Sequence, residues 1–151
     1  MPVFRSRQEL ASATGELGET APVTVTQAMV DSFAHLTGDV QWIHCDPERA
    51  AASPLGGTVA HGFLTLSLVP RMYAGLCTVE GPSWALNYGL NRVRFLAPVM
   101  VGSHLCLTTA ITAVEERDSG QLVTYSHAMS AEFAAERRLV MVAEHMTLYV
   151  W

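Results

Sequence analysis

Three runs of about twelve residues, His104 to Glu115, Gln121 to Ala134 and Leu139 to Val150, constrain this chain more than any other feature. Each is rich in β-branched and apolar residues and is long for a strand. The links between them, Asp118-Ser119-Gly120 and Ala135-Glu136-Arg137-Arg138, are too short for a crossover, so the runs must form an antiparallel meander. Asn87 to Leu96 is a further strand, ended by Pro98 and Gly102. The inner face of such a sheet needs a cover. His61 to Leu76 supplies one: it is apolar on nearly every face, as a helix buried on all sides must be, and Pro70 should kink or divide it. The fold class is therefore α+β, with a long antiparallel sheet wrapped on one apolar helix.

Ahead of that helix the chain reads in short pieces. Residues 1–20 are polar, with Gly15 and Gly18, and read as a loosely packed lead-in. Pro22 to Val25 is a short strand candidate. Thr26 suits a helix N-cap, and Met29, Val30, Phe33 and Leu36 repeat at helical spacing until Gly38, predicting a helix over 27–37. Asp46-Pro47 repeats the start signal for a short helix near 47–52, and Ser53 to Val59 is loop. A chain of 151 residues fits a single domain spanning 1–151 with a real core. Half of its residues are hydrophobic and only 15% are charged, so apolar area is expected to be hidden in a second copy.

The formal charge of −5 and the scattered basic residues exclude a nucleic-acid partner. Cys45, Cys77 and Cys106 are isolated and odd in number, which fits a reducing compartment rather than a disulfide framework or zinc knuckle. Met1-Pro2-Val3-Phe4-Arg5 lacks an apolar signal core, and Phe63 to Val69 is far too short to span a bilayer. A cytoplasmic protein with no membrane partner is expected.

The chemistry gathers between the two early helices. Asp39 and His44 stand five residues apart on a connector, and Val40, Trp42 and Ile43 make that connector apolar. If it turns inward, the acid and the imidazole go with it and need partners, each being the other's nearest candidate. The plain alternative is a turn aspartate after Gly38 and a loop histidine. His61-Gly62 opens the apolar helix, so the Gly62 amide is one of the unpaired donors at a helix start and suits a carbonyl oxygen that gains negative charge. An ordinary first-turn glycine is the competing reading. His61 is a positioning group rather than a proton donor.

Gly38-Asp39-Val40-Gln41-Trp42-Ile43-His44-Cys45-Asp46 followed by Gly57-Thr58-Val59-Ala60-His61-Gly62 resembles the signature of the MaoC-like dehydratases, also called hydratase 2 or (R)-specific enoyl-CoA hydratases. Asn87-Tyr88-Gly89-Leu90-Asn91-Arg92-Val93-Arg94-Phe95 and Pro98-Val99-Met100-Val101-Gly102 extend the match, which runs from about residue 20 to the end. The single-domain branch related to nodulation protein N is the most similar.

The resemblance implies a hot-dog fold, a curved antiparallel sheet wrapped around a long central helix, and a homodimer. It implies hydration of a trans-2-enoyl thioester to an (R)-3-hydroxyacyl thioester, or the reverse dehydration. Asp39 and His44 match the catalytic pair and Gly62 the oxyanion-hole amide. Gln41-Trp42 replaces the common Asn-Pro, so Gln41 would support the pair with a longer reach. The substrate would be an acyl-CoA or acyl-carrier-protein thioester. Asn91, Arg92 and Arg94 are candidates for the pantetheine and its phosphates, against the plain alternative of surface arginines alternating with Val93 and Phe95.

The reaction needs no metal or organic cofactor. The rivals are a metal site on Asp39, His44 and His61, a Cys45 nucleophile, a hot-dog thioesterase, and a non-catalytic acyl-thioester-binding module. A binding module has no need of both Asp39 and His44, and both are present.

Overall fold

Alternation sets the sheet. In the computed structural model, which describes residues 1–151, Leu105, Leu107 and Ile111 of β6 (His104–Arg117) are buried. So are Val123, Tyr125, Met129 and Ala131 of β7 (Gly120–Phe133), and Met141, Ala143 and Tyr149 of β8 (Glu136–Val150). The residues between them are mostly half-exposed, so one face of the sheet carries the core. Each fully buried Leu, Val or Met contributes roughly 1.5–3 kcal/mol relative to exposure. β5 (Trp84–Phe95) pairs antiparallel with β8 at one edge and β2 (Gly15–Glu19) with β6 at the other, giving the order β2-β6-β7-β8-β5.

The cover lies where expected, and Pro70 divides it as expected. It consists of two short helices, α5 (Gly62–Ser67) and α6 (Val69–Tyr73), which meet at Leu68 just before Pro70. Pro70 lacks the N–H that would continue the ladder, so the chain divides there. Leu64, Leu68, Val69 and Met72 pack with Leu105, Leu107, Met129, Val140 and Met141 in the main core. The helix is not buried on all sides, however: Phe63 is 69% exposed, and Ser67, Pro70 and Arg71 continue that open stripe.

The early signals hold. α2 (Gln27–Thr37) starts at Thr26, whose hydroxyl accepts from the Met29 N–H, and stops at Gly38 in the left-handed region, with φ 77°. β3 (Val23–Thr24) precedes it and pairs with β6. α3 (Trp42–Cys45) turns the connector once, and α4 (Pro47–Ala51) starts at Asp46, whose carboxylate accepts from the Arg49 N–H at 3.0 Å.

Residues 1–20 are not a loose lead-in. They form β1 (Val3–Phe4), which pairs with β4 (Thr78–Val79), then α1 (Arg7–Ala11) and β2 (Gly15–Glu19), which pairs antiparallel with β6 through a bulge between Glu16 and Gly18. Leu10 is wholly buried beside Ile111, Val123 and Tyr125 in a second core. The second hairpin is also tighter than its sequence reads. Its turn is Ala134-Ala135, both left-handed with φ 50° and 65°, while Glu136, Arg137 and Arg138 pair with Phe133, Glu132 and Ala131.

The buried sheet face carries a polar patch: His127, His145, Thr109, Thr147, Tyr125 and Tyr149. Burial pushes the His127 imidazole down to about 3, with neighbouring His145 acting in the same direction, and burial also lowers His145.

Two expectations follow. Alanine strains a left-handed turn that Asn-Gly adopts readily, so replacing Ala134-Ala135 with Asn-Gly should raise unfolding stability by roughly 1–2 kcal/mol in urea titrations. His127 binds a proton less readily folded than unfolded, so its contribution is complete above the unfolded value near 6.5 and is lost as pH falls toward about 3. The fall should be shallower by up to about 1.4 kcal/mol per pH unit in His127→Asn, followed by thermal unfolding from pH 7 to 4.

Candidate active site

His44 is held from both sides of its own residue. Its carbonyl accepts from the Gln27 side-chain amide at 2.7 Å. Its Nδ1 lies 2.6 Å from the Val59 carbonyl oxygen, which can only accept, so Nδ1 carries the proton and the neutral ring keeps its lone pair on Nε2. Val59 returns the tie by donating its N–H to Ile43 at 3.0 Å. The segment carrying Val59 is itself fixed: Thr58 accepts from Val101, and Ala60 donates to Val99. Gln27 closes the loop, because its amide oxygen accepts from the Thr58 hydroxyl at 2.5 Å. Nothing local signals this role, since Gln27 reads only as a first-turn helix residue; it also donates to Asp31 one turn on.

His61 completes the cluster. Its ring stacks on His44 with centroids 3.7 Å apart and planes 25° apart, and Phe33 lies against it at 5.1 Å. His61 Nε2 donates to the Asp39 carbonyl at 2.9 Å, which fixes the backbone just after the Gly38 cap; its Nδ1 is buried and has no hydrogen-bond partner in the chain. One side-chain atom each of Asp39, His44 and His61 lies within 4.8 Å of the others. Asp39 and His44 make no direct side-chain bond, but that span admits one water bonded to both, at about 2.8 Å from each.

The inward connector is only half realised. His44 is buried, but Asp39 is exposed and Val40 is 66% exposed. The single turn of α3 explains this, because it rotates His44 inward while the residues just after Gly38 still run along the surface. Near-parallel rings direct their lone pairs side by side rather than at one point, which is poor geometry for a shared ion. Desolvation, then Asp31 and Asp39, raise the Cys45 thiol, which opposes thiolate chemistry there.

Gly62 is the first residue of α5 and follows His61 directly. As the first helical residue it has no carbonyl one turn earlier in the helix to bond. A side chain here would crowd the Phe95 ring at 3.1 Å, so glycine allows the close approach of α5 to β5. A cavity of about 340 Å³ lies at this amide, lined by Gly62, Thr65, Phe95, Leu96 and Val99 among others.

The remaining sequence candidates lie elsewhere. Asn91, Arg92 and Arg94 are exposed on β5, beside a bulge between Leu90 and Arg92, and none bonds to the cluster; Arg94 donates to the Val93 carbonyl. Gln41 caps α3 by position only, with no side-chain bond, and is exposed.

Comparison with known proteins agrees with this architecture. The profile of the MaoC like domain matches residues 9–132. The chain is 48% identical to 3-hydroxyacyl-thioester dehydratase Z of Mycobacterium tuberculosis over 152 aligned positions, covering 99% of each protein. It is 42% identical to nodulation protein N of Rhizobium leguminosarum bv. viciae, over 88% of this chain and 83% of that one. The solved (R)-hydratase from A. caviae involved in PHA biosynthesis superimposes with a TM-score of 0.72 at 21% identity, covering 91% of this chain and 96% of that one. The fold is the hot-dog fold.

The Gln27 tether has a measurable weight. Gln27→Leu keeps the volume but leaves the Thr58 hydroxyl and the His44 carbonyl without their partner, and should lower unfolding stability by about 1–3 kcal/mol in urea titrations.

Proposed function

Because the chain belongs to the MaoC-like dehydratase family, we propose that it adds water reversibly across a trans-2-enoyl thioester, with Asp39 and His44 as its catalytic pair. The observation that carries the residue assignment is the cluster itself: one side-chain ligand atom each of Asp39, His44 and His61 within 4.8 Å of the others, with Gly62 starting α5 one residue beyond the stacked His61. The pair holds one water. As the water's oxygen bonds to the β-carbon, one of the pair takes a proton from it. The α-carbon receives a proton from the other, so that H and OH are added and the pair is restored in sum. Gly62 N–H bonds to the thioester oxygen while it carries enolate charge. Acid and base on one face give syn addition; the R product follows when the bound enoyl turns the corresponding face toward the pair.

We propose further that the whole chain acts as one hot-dog domain and as a homodimer. Trp84, Leu86, Tyr88, Leu90 and Phe95 are exposed on the edge strand β5, alongside Phe63 of α5. An uncovered edge bearing that much apolar surface favours a second copy over water. Arg92 and Arg94, exposed on the same strand, would meet the phosphates of an acyl-CoA or acyl-carrier-protein thioester, and Asn91 its pantetheine. No helix is long and apolar enough to cross a membrane, and the three free cysteines suit the cytoplasm.

The test is hydration of crotonyl-CoA followed at the enoyl absorbance. Asp39→Asn and His44→Ala should each lose roughly 100–10,000-fold in kcat while retaining the wild-type circular dichroism spectrum. Near-wild-type turnover in either folded variant would sink the assignment. Release of free thiol from saturated acyl-CoA would instead mark a thioesterase, and binding without turnover an acyl-binding module.

A further inference from the structure

We propose that Gln27 is a positioning residue for the reaction: through the His44 carbonyl and Thr58 it fixes both ends of the bond that orients the His44 imidazole. The inference rests on the hydratase reading above, in which His44 belongs to the catalytic pair, and adds to it a residue that does not touch the reacting atoms.

Position 27 has a rigid base. It is the first residue of α2, directly after the Thr26 cap. Just ahead of it, Val25 donates to the Ser103 carbonyl at 2.9 Å and accepts from Gly102 at 2.8 Å, while Val23 and Thr24 pair with Leu105 and His104 at the start of β6. Val25 and Val30, on either side in sequence, are buried in the main core. The Gln27 side chain therefore extends as a strut from a frame that is fixed to the sheet.

Its far end is fully committed. The His44 carbonyl and the Asp31 carboxylate only accept, so the side-chain nitrogen faces them and gives one hydrogen to each, at 2.7 and 2.8 Å. The side-chain oxygen accepts from the Thr58 hydroxyl. Turning the amide over would set its oxygen against two acceptors, so one orientation is allowed. The His44 carbonyl has no other donor: α3 ends at Cys45, and no backbone N–H bonds to that oxygen. It is one of the carbonyls that a helix end leaves unpaired, and Gln27 supplies the missing partner.

The Nδ1 bond of His44 spans two segments with little regular structure of their own. α3 is a single turn, and Val59 lies outside the named strands, held to Met100 by an isolated bridge. Gln27 bonds to His44 itself and to Thr58, the residue before Val59. Without it the buried carbonyl has to turn toward another donor, and the backbone that carries the imidazole turns with it. A reacting group displaced by about 1 Å loses roughly 100-fold in rate. The plain alternative is a cap for α3 that stabilises the fold and leaves the ring where it is.

The experiment measures kcat and KM for crotonyl-CoA and the imidazole nitrogen resonances of His44 in Gln27→Met, well below its melting temperature. Methionine keeps a similar length and removes the donors and the acceptor. kcat should fall by about 10–100-fold while KM stays within about threefold of wild type. The two ring nitrogens of neutral His44, one protonated and one bare in the wild-type protein, should move toward a common average as the tautomers mix; His44→Ala identifies their signals. Gln27→Glu keeps the bond from Thr58 but cannot donate to the His44 carbonyl while ionised, and should produce the same two changes, so it carries the comparison where the methionine variant does not fold. A folded variant with kcat within about threefold of wild type, or with unshifted His44 nitrogens, overturns the inference and leaves the hydratase reading intact. If the wild-type protein hydrates no enoyl thioester, that reading falls, and the nitrogen shifts alone decide whether Gln27 sets the ring.

Discussion

The bond from His44 Nδ1 to the Val59 carbonyl is the constraint on which the site depends. It joins a one-turn helix to a segment pinned to Val99 and Val101, so the imidazole inherits its position from the sheet side of the molecule rather than from its own connector. The same bond decides the tautomer. Without it, Nε2 and Nδ1 would be interchangeable and the ring free to turn. With it, Nδ1 is committed to Val59, and the ring presents the flat surface on which His61 stacks. His61 in turn anchors the Asp39 backbone, so the acid and the imidazole are related through a third residue that bonds one and stacks on the other.

Much of this could be read from the residues because it rests on local rules. Thr26, Gly38 and Asp46 announce helix ends by bonding their neighbours, and the structure uses each of them so. Pro70 divides the covering helix for a reason contained in its own ring. Alternation along β6 to β8 carries the sheet. The resemblance added what local rules could not, a reason to set Asp39, His44 and Gly62 side by side.

What escaped the sequence depends on partners far along the chain. Gly15 to Glu19 looks like a flexible stretch and becomes a strand because β6 offers it an open edge. Ala134-Ala135 carries no turn chemistry; its left-handed conformation is imposed by two long strands paired on either side. The apolar reading of Val40 assumed that a connector moves as one piece, whereas α3 turns only its own residues inward. Gln27 was invisible for the same kind of reason: its bonds reach His44 and Thr58, 17 and 31 positions away.

The break at Leu68 has a consequence for how such a molecule can change. Ser67 and Pro70, from the two sides of the break, line a smaller cavity of about 170 Å³ together with Asn87 and His145, while Gly62 lies a full helix length ahead of it. Two short helices can shift independently where one long rod would carry any displacement from end to end. Replacing side chains on α6 can therefore reshape the smaller cavity without displacing the start of α5 at Gly62. This cavity and the one at Gly62 can in this way change shape separately although one sheet backs them both.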